Sequence, residues 1–208
     1  MDGRSRAVAA AGGRRELRIR RKLFHLALGT AFIILFLGDR DLRWPLYLLL
    51  LLGLALSFVQ ERWPLRPLKW MLDRYDKVSD HVPGQGPITF FLGCLVAWSL
   101  FPSNAALGAI VVLTFGDPSA YIVGTLSGGR PLPWNGNKTW AGTTAFFLVP
   151  ACILVPLMGP VLGIMLPVVG AIVESLALPD LMVLDDNVTV PISTGAFGAL
   201  LLLLFPGL

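Results

Sequence analysis

Apolar residues along the chain fall into seven long runs, at positions 23–37, 44–59, 87–101, 105–126, 141–158, 160–178 and 188–205. A helix that crosses the hydrocarbon core needs roughly 20 predominantly apolar residues, and somewhat shorter runs are tolerated. The pattern therefore predicts an all-α, polytopic membrane protein of about seven transmembrane helices. Positions 143–173 carry no charge and are too many for one span. Gly159-Pro160 supplies the break that folds this stretch into a hairpin. Ahead of the first run the chain is rich in Ala, Gly and Arg without periodicity, so residues 1–16 read as a disordered basic tail. Residues 17–208 read as a single transmembrane catalytic domain.

Composition agrees with that pattern. The 208 residues are 55% hydrophobic and 14% charged, with a mean hydropathy of +0.70; soluble domains carry about 25% charged residues. Eight of the 17 Lys and Arg precede Leu23, and none follows Lys138. A basic cluster abutting an apolar run marks a cytoplasmic membrane flank rather than a nucleic-acid surface. With the N-terminus in the cytoplasm, connections 60–86, 127–140 and 179–187 share its side, which then holds 15 basic residues against Arg40 and Arg43 opposite. The first run does not read as a signal peptide: its basic region is too long, no small-residue cleavage pattern follows, and six more runs come after it. Cys94 and Cys152 lie apart within apolar runs and supply neither a disulfide framework nor a metal motif. The Asn137 and Asn187 glycosylation-type triplets fall on the cytoplasmic side and are discounted, and His81 has no evident partner.

The charges inside the runs are the informative ones. Asp117 lies roughly 13 Å from the inner end of the fourth run at 1.5 Å per residue, where a carboxylate costs about 2.5–3.5 kcal/mol on insertion scales. Pro118 follows it and is expected to kink or break the helix, the usual setting of a membrane ion or ligand site. The alternative is a structural carboxylate paired with a basic residue of another span. Glu174 is the sole charge of the sixth run, and Asp180, Asp185, Asp186 and Asn187 follow it. No Lys or Arg is near in sequence to neutralise them. Asp186 or Asn187 suits a helix N-cap; the carboxylates equally suit Mg²⁺. The glycine-rich stretch from Gly124 to Thr143, with Arg130 and Lys138, reads either as a phosphate cradle leading into a helix near Trp140 or as a plain connector. It is not a P-loop, since Asn137 separates Gly136 from Lys138. Arg18, Lys22, His25 and Gly29 share one helix face, which suits polyanion binding or a proton relay, or is simply a basic flank.

Three stretches taken together resemble the CTP-dependent lipid kinases, the family of dolichol kinase, phytol kinase and yeast-type diacylglycerol kinase. They are Arg21-Lys22-Leu-Phe-His25-Leu-Ala-Leu-Gly29; Gly116-Asp117-Pro118 through Gly124 with Asn137-Lys138-Thr139-Trp-Ala-Gly142-Thr143; and Glu174-Ser-Leu ahead of Leu184-Asp185-Asp186-Asn187-Val-Thr-Val-Pro191. The resemblance covers about residues 18–198. Ala141 stands where the family has an acidic residue. The Lys-Thr-Trp wording is also similar to phosphatidate cytidylyltransferases, whose longer C-terminal signature the chain lacks. The resemblance implies transfer of the CTP γ-phosphoryl group to a membrane lipid hydroxyl, of the polyprenol, dolichol or phytol type, at the cytoplasmic face. It implies Asp117 and Asp185 or Asp186 on Mg²⁺, and Lys138 with Gly116, Gly124, Thr139, Gly142, Thr143 and Asn187 about the nucleotide. Arg21, Lys22 and His25 complete the anion pocket, and Glu174 or Asp186 serves as metal ligand or base. The rival activities are diacylglycerol phosphorylation, CDP-lipid formation and, outside enzymes, an ion-coupled carrier using Asp117 and Glu174.

Overall fold

In the computed structural model, residues 3–38, 41–75, 82–176 and 185–208 are described. Arg40, Lys77, His81 and Asp180 lie outside them. Helix α1 spans Gly3–Leu37, α2 Arg43–Arg62, α3 Arg66–Tyr75, α4 Gln85–Leu100 and α5 Ser103–Leu126; the short strands β1 (Pro131–Leu132) and β2 (Asn135–Thr139) precede α6 (Trp140–Leu176) and α7 (Asp186–Leu204). Every apolar run is helical where described, apart from the terminal Phe101 and Phe205. Among the described residues, α2, α5, α6 and α7 are long and apolar enough to cross a membrane, and α4 is an apolar helix of shorter length. The apolar part of α1 is short because its first half is basic. That helix starts at Gly3, inside the segment whose composition reads as a tail.

Two expectations about helix breaks had different outcomes. Gly159 adopts φ 77° and ψ 170° within α6, a backbone that L side chains rarely take. A Cβ on Gly163 would overlap the backbone of Val155, so residues 140–158 and 160–176 fold back on each other as a hairpin. At Pro118, by contrast, α5 continues unbroken, and the expected helix break is absent. A proline removes one ladder hydrogen bond, a loss neighbouring groups in a bundle can make good. Next to it Ser119 Oγ donates to the Gly116 carbonyl at 2.8 Å and the Ala145 carbonyl at 3.2 Å, tying α5 to α6.

Helix α5 is the central element, in contact with α1, α4, α6 and α7. Ile110, Val112 and Leu113 on α5 are fully buried with Phe90, Leu95, Phe146, Leu154, Leu166 and Val190 from its neighbours. The leucines of α2 are largely exposed, as a face turned to lipid requires. At one end of the bundle Asp185 caps α7, its Oδ1 accepting from the Asn187 N–H at 2.9 Å; the cap is neither Asp186 nor Asn187. Asn187 is buried, and its Nδ2 donates to Thr89 Oγ1 at 3.1 Å and to the Gly86 carbonyl at 3.4 Å, locking α7 to the start of α4. The β1–β2 hairpin, which periodicity did not signal, pairs Pro131 with Thr139 and Leu132 with Asn135.

Candidate active site

Two lysine–carboxylate pairs meet at the α7 N-terminal end of the bundle. Lys22, on the basic half of α1, donates from Nζ to Asp117 Oδ1 at 2.6 Å and Oδ2 at 2.5 Å. Asp117 itself is only 5% exposed, in the middle of the most central helix. The His25 ring, one turn along α1 from Lys22, has Nδ1 3.9 Å from Asp117 Oδ2 and stands edge-on to Phe90. The shared face of Lys22 and His25 is therefore turned onto Asp117. Tyr121, one turn beyond Asp117 on α5, has Lys22 Nζ 5.9 Å from its ring centroid.

The second pair is assembled by the hairpin. Asn135 Nδ2 donates to the Ser175 carbonyl at 3.1 Å, drawing β2 onto the last turn of α6. The Trp140 N–H donates to the Arg130 carbonyl and closes the turn. Lys138 then reaches Glu174 Oε1 at 2.5 Å and lies 3.8 Å from Asp186 Oδ2 on α7. Burial works against the charge of Lys138, but Asp186 and Glu174 outweigh it and hold its pKa above the ordinary lysine value. Glu174 and Asp186, which have no cation near them in sequence, thus acquire one through the fold. Asp186 is also within electrostatic reach of Asp117 and His25, so both pairs belong to one polar cluster drawn from α1, α5, β2, α6 and α7.

The other sequence candidates divide. Arg21 is half-buried beside Lys22 on α1. Thr143 is half-buried in the first turn of α6, and its Oγ1 makes no hydrogen bond among the described residues; the same holds for Oε2 of Glu174. Thr139 has a local task as well, since its Oγ1 accepts from the Gly142 N–H at 3.1 Å and so caps the start of α6. Gly124 and Gly142 face each other across α5 and α6, where a Cβ on Gly142 would come 2.9 Å from the Ala120 carbonyl. Gly116 packs against the Phe146 ring. These glycines bring the two helices close enough for Asp117 and Lys138 to share a site. Asn187 holds α4, and Asp185 caps α7, as described above. Sequence reading missed Ser119 and Thr89; their signal was only a polar residue on an otherwise apolar helix, which spacing alone does not assign.

Comparison with known proteins adds a second line. The chain is 27% identical to the CTP-dependent diacylglycerol kinase 1 of Eremothecium gossypii, over 85% of this chain and 65% of that protein. It is 27% identical to the chloroplastic phytol kinase 1 of Arabidopsis thaliana, over 84% of this chain and 63% of that one. The chain is a relative of the CTP-dependent lipid kinases. This likeness extends to the chloroplastic farnesol kinase of Arabidopsis thaliana, 26% identical over 89% of this chain and 66% of that protein. The lipid-kinase relatives are longer, and the chain spans just under two thirds of the first two. No family model and no solved structure matches the chain.

Proposed function

We propose that the chain is a CTP-dependent lipid-alcohol kinase that transfers the γ-phosphoryl group of CTP to the hydroxyl of a polyprenol-, dolichol- or phytol-type alcohol. One observation carries the reading: Lys22–Asp117 and Lys138–Glu174–Asp186 come from five separate elements to one end of an apolar bundle. Such an end is where a triphosphate from water can meet a hydroxyl whose tail stays in the bilayer. In this reading seven apolar segments of residues 17–208 span the membrane, the N-terminus is cytoplasmic, and the site opens to the cytoplasmic face.

Phosphoryl transfer demands positioning and charge stabilisation above all. Lys22 and Lys138 bind the phosphate oxygens, with Arg21 and His25 extending the anion pocket along α1 and Thr139, Thr143 and the first turn of α6 beside it. The lipid hydroxyl oxygen attacks the γ-phosphorus, the bond to the β-phosphate oxygen breaks, and CDP leaves. Glu174, or Asp186, takes the hydroxyl proton. Asn187 and the site glycines keep the helices in register.

Phosphoryl transfer from a nucleoside triphosphate also calls for a metal ion, here proposed to be Mg²⁺. Among the described residues no three His, Cys, Asp or Glu side chains gather into an all-protein metal cage. Magnesium seldom requires one, being held by one or two carboxylates with phosphate oxygens and water completing its shell. Asp117 with Asp186 or Asp185 fits that role as hard oxygen donors, and the unbonded Oε2 of Glu174 is a further donor in the same cluster. When bound, the ion would neutralise charge on the phosphate oxygens.

Diacylglycerol is the second acceptor to consider, on the likeness to a CTP-dependent diacylglycerol kinase. The test is one assay of purified, bilayer-reconstituted protein with phytol, geranylgeraniol, a long polyprenol and diacylglycerol against all four nucleotides. Label at the γ-phosphate of CTP should enter the lipid and label at the α-phosphate should not. Entry of α-label would show a cytidylyltransferase, and solute movement without nucleotide turnover would show a carrier; either refutes the proposal.

A further inference from the structure

The α2–α3 corner is polar and apolar at once, yet no part of the candidate site uses it. Residues 61–67, 69 and 70 are exposed. Among them Trp63, Leu65 and Trp70 are 68%, 45% and 62% exposed, interleaved with Arg62, Arg66 and Lys69 and a single acid, Glu61. The corner is built rather than loose. The Trp63 N–H donates to the Val59 carbonyl at 2.7 Å, the Leu65 N–H to the buried Gln60 Oε1 at 2.8 Å, and the Lys69 N–H to the Leu65 carbonyl at 2.8 Å. The Arg62 guanidinium sits 5.1 Å over the Phe58 ring. Helix α3 rests on α1, the helix that carries Lys22, and its Leu72 lies beside Gly84 at the start of α4.

Large apolar side chains displayed among cations on a short, strongly amphipathic helix match one environment. Tryptophan favours the headgroup level of a bilayer, and Lys and Arg on a surface helix are drawn to anionic lipid. We propose that α3 and the corner before it form a docking surface for anionic lipid headgroups of the leaflet that borders the candidate site. Trp63, Leu65 and Trp70 enter the leaflet, and Arg62, Arg66 and Lys69 bind the headgroups. Charge complementarity selects this occupant: over residues 61–70 three cations stand against one acid, and α3 packs on α1, whose first half is basic. The surface needs no nucleotide chemistry and goes beyond the kinase reading.

The test uses the full chain in phosphatidylcholine proteoliposomes containing spin-labelled phosphatidylglycerol or spin-labelled phosphatidylcholine. The wild type should immobilise the anionic lipid preferentially, and salt should weaken the preference. In R62Q/R66Q/K69Q the preference should fall by about fivefold, the equivalent of at least one cation at the surface. An unchanged preference in the triple variant, or none in the wild type, overturns the proposal. Brominated-lipid quenching of tryptophan fluorescence gives the second measurement. The quenched fraction should drop in W63F/W70F; an unchanged fraction, as when a second copy of the chain covers this face, also overturns it. Neither readout depends on turnover, so a failed kinase assay leaves this result standing, and the reverse.

Discussion

Replacing Lys22 by methionine would leave the Asp117 carboxylate inside the bundle without the cation that bonds both its oxygens, His25 Nδ1 standing 3.9 Å away. The lysine nitrogen stands 2.5–2.6 Å from both carboxylate oxygens, and the side chains are 22% and 7% exposed. Two unit charges with centres about 2.9 Å apart at an effective dielectric constant near 20 attract by ~6 kcal/mol. Removing one partner of a buried pair typically costs about 3–5 kcal/mol, because the survivor stays desolvated. Lys22→Met should therefore destabilise the protein by about 3 kcal/mol or more. Asp117→Asn should cost less, on the order of 1–2 kcal/mol, because the flexible lysine reaches toward water. The double variant should be more stable than Lys22→Met alone, since it no longer buries an unpaired charge. Equilibrium unfolding in mixed micelles, followed by circular dichroism, gives all four corners of the cycle. A coupling below about 0.5 kcal/mol, as for independent sites, would refute the pairing. Under the kinase proposal all three variants are inactive, the double variant included.

Other predictions concern the second pair and its supports. Lys138→Ala should abolish nucleotide turnover with the protein still inserted, and Glu174→Gln should lower the turnover rate by about 10²-fold or more if Glu174 is the base; full activity in Lys138→Ala removes that residue from the site. The folded pKa of Lys138 lies above its ordinary value, so its stabilising contribution is complete below about pH 10.5 and is lost as pH rises through the folded value. Melting from pH 8 to 11.5 should show an alkaline loss that is smaller in Lys138→Met. Asn187→Ala strips the buried tie to Thr89 and Gly86 and should cost about 1–3 kcal/mol in the same unfolding assay, with helix content preserved.

Much of the fold was legible in the chain because transfer from water to hydrocarbon acts on each stretch by itself. Seven runs announced helices, and Gly159-Pro160 marked a true reversal. Pro118 does not break α5, because one lost backbone hydrogen bond is a local cost that a tightly packed helix can carry. The β1–β2 hairpin gave little warning, being short and held by contacts with the end of α6. Asp117 and Glu174 stood out for the same reason the runs did: each is expensive where it sits.

What they pair with was decided elsewhere. Lys22 and Asp117 are 95 positions apart, and Lys138 and Glu174 are 36 apart. Periodicity carries no term for such separations. Their meeting depends on Gly124 and Gly142 letting α5 and α6 close, on Asn135 pulling the hairpin across, and on Asn187 seating α7 on α4. Charge placement in the chain set how much each carboxylate needed a partner, and packing chose the partner, because only the assembled bundle brings a cation within a few ångströms of a group that cannot reach water.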